Sequence, residues 1–80
     1  MLGWAIIRFE TARAGPVKVA VYDVAGRRVR TLVDEQRDFG VHELVWHADG
    51  EDGRTLPAGV YSLRLVGPDR TDVRKLVKIQ

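Results

Sequence analysis

The stretch Val17-Lys18-Val19-Ala20-Val21-Tyr22-Asp23-Val24-Ala25-Gly26-Arg27-Arg28-Val29 decides the fold. Its first half alternates with period two, so Val17, Val19 and Val21 share one face of a strand. Gly15-Pro16 punctuates its start and Ala25-Gly26 its end. Gly26 suits a hairpin turn that needs positive φ, and Asp23 can bind backbone groups in that turn. Similar signals lie on both sides. Ile7-Arg8-Phe9-Glu10 alternates, with Ile7 and Phe9 inward. Residues 41–46 place His42, Leu44 and Trp46 on a core face, with Val41 and Val45 opposite. Residues 60–65 turn Tyr61, Leu63 and Leu65 inward. Gly67-Pro68-Asp69 is a turn, and residues 71–79 return as a last strand, mixed in phase.

Residues 27–36 read two ways. Val29, Leu32, Val33 and Gln36 sit at helical spacing, whereas Val29, Thr31 and Val33 alternate. The preferred reading is a strand that loses its phase near Leu32, by a bulge or by ending there. A short helix is the alternative. Short strands separated by Gly, Pro and Asp turns indicate an all-β sandwich or small barrel. With no long amphipathic helix to cover an open sheet, two sheets must cover each other.

Eighty residues make a single domain, residues 1–80, with a thin core. There is no Cys, hence no disulfide and no thiolate ligand or nucleophile. The net charge of +2 comes from interspersed signs, which reads as a solvated surface rather than a nucleic-acid binder. The apolar run Trp4-Ala5-Ile6-Ile7 is too short for a membrane span or a signal-peptide core. Any export signal is therefore expected in a longer precursor.

Few residues could carry chemistry. His42 and His47 are five apart, on opposite faces of a regular strand, and cannot share a metal there. Ser62 is the sole Ser, is expected to face solvent, and has no base or strained turn beside it. In Asp49-Gly50-Glu51-Asp52-Gly53, the carboxylates Asp49, Glu51 and Asp52 could curl around a hard cation such as Ca²⁺. The competing, preferred reading is a tight loop in which Asp caps amides and glycine supplies positive φ. Two basic clusters, Arg27, Arg28 and Arg30, then Arg70, Arg74, Lys75 and Lys78, lack the stacking aromatics of a single-strand binder. Trp46 and Tyr61 read as core anchors. Trp4 either covers an open end of the sandwich or marks a contact surface.

Four segments, in order, resemble a known family. Residues 19–29, with Tyr22, Asp23 and Gly26, look like its "YDxxGRxV" hairpin. Residues 40–46, ending at Trp46, resemble the "GxHxxxW" strand. Residues 49–61, with Gly53, Gly59 and Tyr61, are similar to "DxxGxxxxxGxY". Residues 74–79 resemble its basic-apolar final strand. The family is the FlgD-like immunoglobulin-like domain, named for the flagellar hook-capping protein, with the similar C-terminal sorting domains of type IX secretion substrates. The likeness covers roughly residues 6–79. Two positions depart from it. Residues 1–5 replace an Asn-Pro-rich opening, which suggests a trimmed or redesigned start. His47 stands where an Asp is common, which removes a carboxylate from the loop.

The resemblance implies an immunoglobulin-like (fibronectin III-like) β-sandwich of six to seven short antiparallel strands. It implies a non-catalytic C-terminal accessory or sorting domain of a larger secreted or cell-surface bacterial protein, with no cofactor. Its partners would be the parent polypeptide and type IX-like secretion machinery, and Arg74, Lys75, Leu76, Val77, Lys78 and Ile79 would carry recognition. Neither nucleic-acid binding nor membrane insertion is expected. Two alternatives stand beside it. One is a structural or self-assembling unit, natural or engineered, that pairs through Trp4 and edge strands. The other is a carbohydrate- or calcium-binding module using Asp49, Glu51 and Asp52.

Overall fold

The computed structural model describes residues 1 and 3–79. Six strands follow in order: β1 (Ala5–Thr11), β2 (Gly15–Tyr22), β3 (Arg28–Arg37), β4 (Gly40–Trp46), β5 (Gly59–Val66) and β6 (Thr71–Lys78). They form two antiparallel sheets. One holds β1 and β4; the other has the order β3-β2-β5-β6. The central strand β2 supplies Val17, Val19 and Val21, and β5 supplies Tyr61, Leu63 and Leu65. From the smaller sheet, Ile7, Phe9 and Trp46 meet them in one buried cluster. Two-residue alternation on facing strands is what places these side chains in the gap between sheets.

Trp46 is 1% exposed and meets Tyr61 edge-on, with ring centroids 6.1 Å apart. Both anchors also satisfy their polar atoms. Trp46 Nε1–H donates to the Asp49 carbonyl (3.0 Å), and Tyr61 Oη–H donates to the Pro57 carbonyl (2.5 Å). His42 lies on the inward phase of β4, half-buried. It stacks on Phe9, and its Nε2 lies 2.9 Å from the Asp38 carbonyl oxygen. His47 is exposed, and Ser62 is half-buried rather than open to solvent.

The ambiguous segment is a strand. In its ladder with β2, Val19 faces Val33 and Ala20 faces Thr31, which leaves Leu32 as an extra residue. Val21 faces Arg30 and Tyr22 faces Arg28, which leaves Val29 extra as well. Both extra residues are partly buried and pack against the core. Two bulges carrying apolar side chains produce the three-and-four spacing that imitates a helix. The short-helix alternative is thereby excluded.

The last strand is also more regular than expected. Its exposure alternates strictly: Asp72, Arg74, Leu76 and Lys78 point inward, and Val73, Lys75 and Val77 point outward. The expected mixed phase came from reading polarity as orientation. On this edge strand the inward positions border the open side of the sandwich. Long cationic side chains can lay their stems on apolar surface there.

Candidate functional site

The two tight loops come first, because they carry most of the sequence motifs. In the β2–β3 hairpin the Gly26 amide donates to the Asp23 carbonyl (3.0 Å), and the Asp23 amide donates to the Arg27 carbonyl (2.9 Å). Gly26 has φ 82°, and a Cβ there would meet no atom within 4 Å. Its requirement is therefore backbone conformation, not space. Asp23 Oδ1 accepts from the amides of Ala25 and Arg27, both at 3.0 Å, and Oδ2 pairs with Arg27 Nε at 2.9 Å. The Arg27 backbone amide is the main cause holding the Asp23 carboxyl below its usual range, and the Arg27 guanidinium adds to it.

Residues 50–54 repeat the device. The Gly53 amide donates to the Gly50 carbonyl (3.0 Å), the Gly50 amide donates to the Arg54 carbonyl (3.0 Å), and Gly53 has φ 81°. The three carboxylates of this loop go separate ways. Asp49 lies 3.6 Å from Arg30 Nη1. Asp52 Oδ1 accepts from the Arg54 amide at 3.0 Å. Glu51 reaches β3, where its Oε1 accepts the Thr31 amide (2.5 Å), while its own amide donates to the Val29 carbonyl (3.0 Å). Among the described residues no three His, Cys, Asp or Glu side chains converge as cation ligands. The loop instead covers backbone groups on the open edge of β3, as unpaired edge strands require. Sequence reading missed this, because an edge cap pairs residues 20 apart along the chain.

The basic-apolar final strand is split by its pleat. Lys75, Val77 and Ile79 of the expected set are exposed, Arg74 and Leu76 are half-buried, and Lys78 is 5% exposed. The outward residues of β6 join those of β5, since Val77 faces Val60 and Val73 faces Arg64. This gives the larger sheet an outer surface of exposed Val60, Val66, Val73 and Val77 interrupted by Lys75 and Arg64. The Arg64 guanidinium lies over the Tyr22 ring, 5.4 Å from its centroid, so that aromatic face is already covered. Burial is the main cause pushing the Tyr61 hydroxyl pKa above its ordinary value, and the negative charge of Asp23 adds to it. On the smaller sheet, Trp4 is 57% exposed, with Ile6 and Val45 paired across the strands beside it. Trp4 therefore does not seal the sandwich.

Comparison with known proteins agrees with this architecture. The profile of the FlgD Ig-like domain matches residues 3–70. No curated protein sequence matches. FlgD from P. aeruginosa superposes with a TM-score of 0.66 at 19% identity, over 92% of this chain and 59% of that one. PorZ is described as an essential bacterial surface component of the type-IX secretion system of Porphyromonas gingivalis. It superposes with a TM-score of 0.58 at 21% identity, over 95% of this chain and 12% of PorZ. At such identities the likeness to these structures is one of fold, and the chain corresponds to only part of each. The profile match covers most of the sequence, and the chain belongs to the FlgD Ig-like domain family.

Proposed function

We propose that this domain is a non-catalytic accessory module of a larger bacterial cell-surface or secreted protein, recognised by type IX-like export machinery through β6. The family membership carries the first half of this reading, and the fold it shares with part of PorZ supports the second. For recognition, the outward face of β6 offers Val73, Lys75 and Val77 on an edge strand. Apolar side chains beside a cation on a sheet edge suit a partner that adds a strand or lies along the face. Arg74 and Lys78 point inward, so Lys75, Val77 and Ile79 are the contacts to test. The test is a fusion of this domain to the C-terminus of a periplasm-directed reporter in a bacterium competent for type IX export. Reporter in the medium or on the cell surface is the expected result, reduced by Lys75→Glu with Val77→Asp. Retention of the unmodified fusion inside the cell rejects export recognition.

A second reading, self-association, has its own observation: Trp4, Ile6 and Val45 are exposed together on the smaller sheet. Light scattering tests it. A dimer that Trp4→Ser disperses supports it, and a monomer at all concentrations sets it aside.

A further inference from the structure

Charges of both signs are interspersed along the chain, and the pleat sorts them. The ladders of the four-stranded sheet set its outward residues in rows. One row crosses all four strands: Arg28 faces Tyr22, Tyr22 faces Ser62, and Ser62 faces Lys75. Arg64 stands two residues along β5 from Ser62, and its guanidinium lies over the Tyr22 ring. Lys18 and its cross-strand neighbour Asp34 share the same face. Four cations and one carboxylate give this face a charge of +3, against +2 for the whole chain. The row is also unsatisfied. Arg27, Arg30, Arg37, Arg54 and Arg74 each pair with a carboxylate of the chain. Among the described residues, the side chains of Arg28, Arg64 and Lys75 form no ion pair or hydrogen bond, and the hydroxyls of Tyr22 and Ser62 have no hydrogen-bond partner. A cleft of about 370 Å³ opens at the middle of the row, between Tyr22, Ser62 and Arg64 and the hairpin residues Val24 and Gly26. Asp23 also lines it, but its carboxylate is already held by Arg27 and two backbone amides.

We propose that this row binds an acidic polypeptide segment, through carboxylates at alternate positions of an extended chain. Spacing selects that pattern. Strands about 4.8 Å apart put Arg28 and Lys75 roughly 14 Å apart across three steps. An extended segment rises about 3.4 Å per residue, so its residues i and i+4 span the same distance. Carboxylates at i and i+4 then reach Arg28 and Lys75. The carboxylate at i+2 meets the hydroxyls of Tyr22 and Ser62, with Arg64 supplying a planar pair of donors. Exposed Val73 lies on one side of the row, and exposed Val60 and Val77 lie on the other. These apolar margins reduce the water around ion pairs formed between them, which strengthens the pairs. They also suit a polypeptide, which can alternate charged with apolar groups, over a nucleic-acid backbone, which is charged at every unit. The site goes beyond the export reading: Lys75 belongs to both, while Arg28, Tyr22, Ser62 and Arg64 lie off β6.

The probe is an end-blocked peptide of alternating glutamate and valine, six residues long, titrated into the whole chain and followed by amide chemical shifts. Saturable shifts centred on Tyr22, Ser62, Arg64 and Lys75 are expected, weakening as salt rises from about 0.05 to about 0.5 M. The same peptide with glutamine for glutamate is expected to give none. Arg28→Gln with Arg64→Gln, which leaves β6 intact, is expected to weaken binding at least about tenfold. Arg13→Gln with Arg54→Gln, which removes as much charge away from this face, is expected to leave binding unchanged. No shifts at millimolar peptide, or shifts centred elsewhere, overturn the site. Equal losses in the two double variants reduce the binding to net charge and also overturn it. Tighter binding of a polyphosphate of matched charge at the same residues overturns the assignment to a polypeptide. Peptide binding is read on the purified chain, so its failure leaves the export reading untouched.

Discussion

Tyr61 combines two loads in one side chain. Its ring fills the gap beside Trp46, and its hydroxyl ties β5 to the loop before it through the Pro57 carbonyl. Tyr61→Phe keeps the ring and loses the bond, at a cost of about 1 kcal/mol. For a domain of this size that is a fall of about 5 °C in melting temperature by calorimetry. The pH dependence separates this bond from simple packing. The hydroxyl pKa is raised in the folded state above its ordinary value of 10.0, so the folded protein retains the proton longer. The contribution is complete below about pH 10 and is lost as pH rises through the folded value. Alkaline titration of stability should show this fall in the parent chain and not in Tyr61→Phe. Asp23 gives the opposite sign. Its pKa is lowered from 3.8, so its contribution is present above that value and is lost as pH falls below it. Asp23→Asn should flatten the acid limb of the stability curve measured by urea unfolding. Gly26→Ala meets no atom, yet should cost about 1 kcal/mol by the same method, because φ 82° is a left-handed conformation.

At the scale of elements, the loop of residues 49–54 reinforces an edge. Glu51 gives β3 both an acceptor for the Thr31 amide and a donor for the Val29 carbonyl. Glu51→Ala keeps the backbone half of that cap and removes the side-chain half. The Thr31 amide should then exchange faster, with a loss of stability of about 1 kcal/mol. Calcium should leave the melting temperature of the parent chain unchanged, since the three carboxylates have separate protein partners. A rise with added calcium would reinstate a cation site. The strands themselves were legible from sequence because alternation is local: Val17, Val19 and Val21 announce their face within five residues. The hairpin at Gly26 was legible for the same reason. β3 was only half legible, because Val29 and Leu32 are bulge residues and a bulge is defined by the partner strand. The function of Glu51 could not be read at all, since its partners Thr31 and Val29 lie far back along the chain, across a sheet edge.

For the whole molecule, the deciding feature is the contrast between its edges. The β3 edge is capped by a loop, while on the β6 edge the Met1 backbone meets Val77 and Ile79 and the Asp72 carboxylate holds the Val73 amide. Sequence reading named residues 74–79 of the final strand as the expected recognition surface. It treated six consecutive residues as one surface, which a pleated strand cannot present. Native-state amide exchange on the free chain tests the contrast most directly. Val19 and Leu63 in the central strands should exchange only through global unfolding. The Thr31 amide should approach that protection, and the Lys75 amide should exchange through local opening, at least about a hundredfold faster than Thr31. Equal protection of Thr31 and Lys75 would contradict an account in which the β3 edge is capped by a loop and the β6 edge is not.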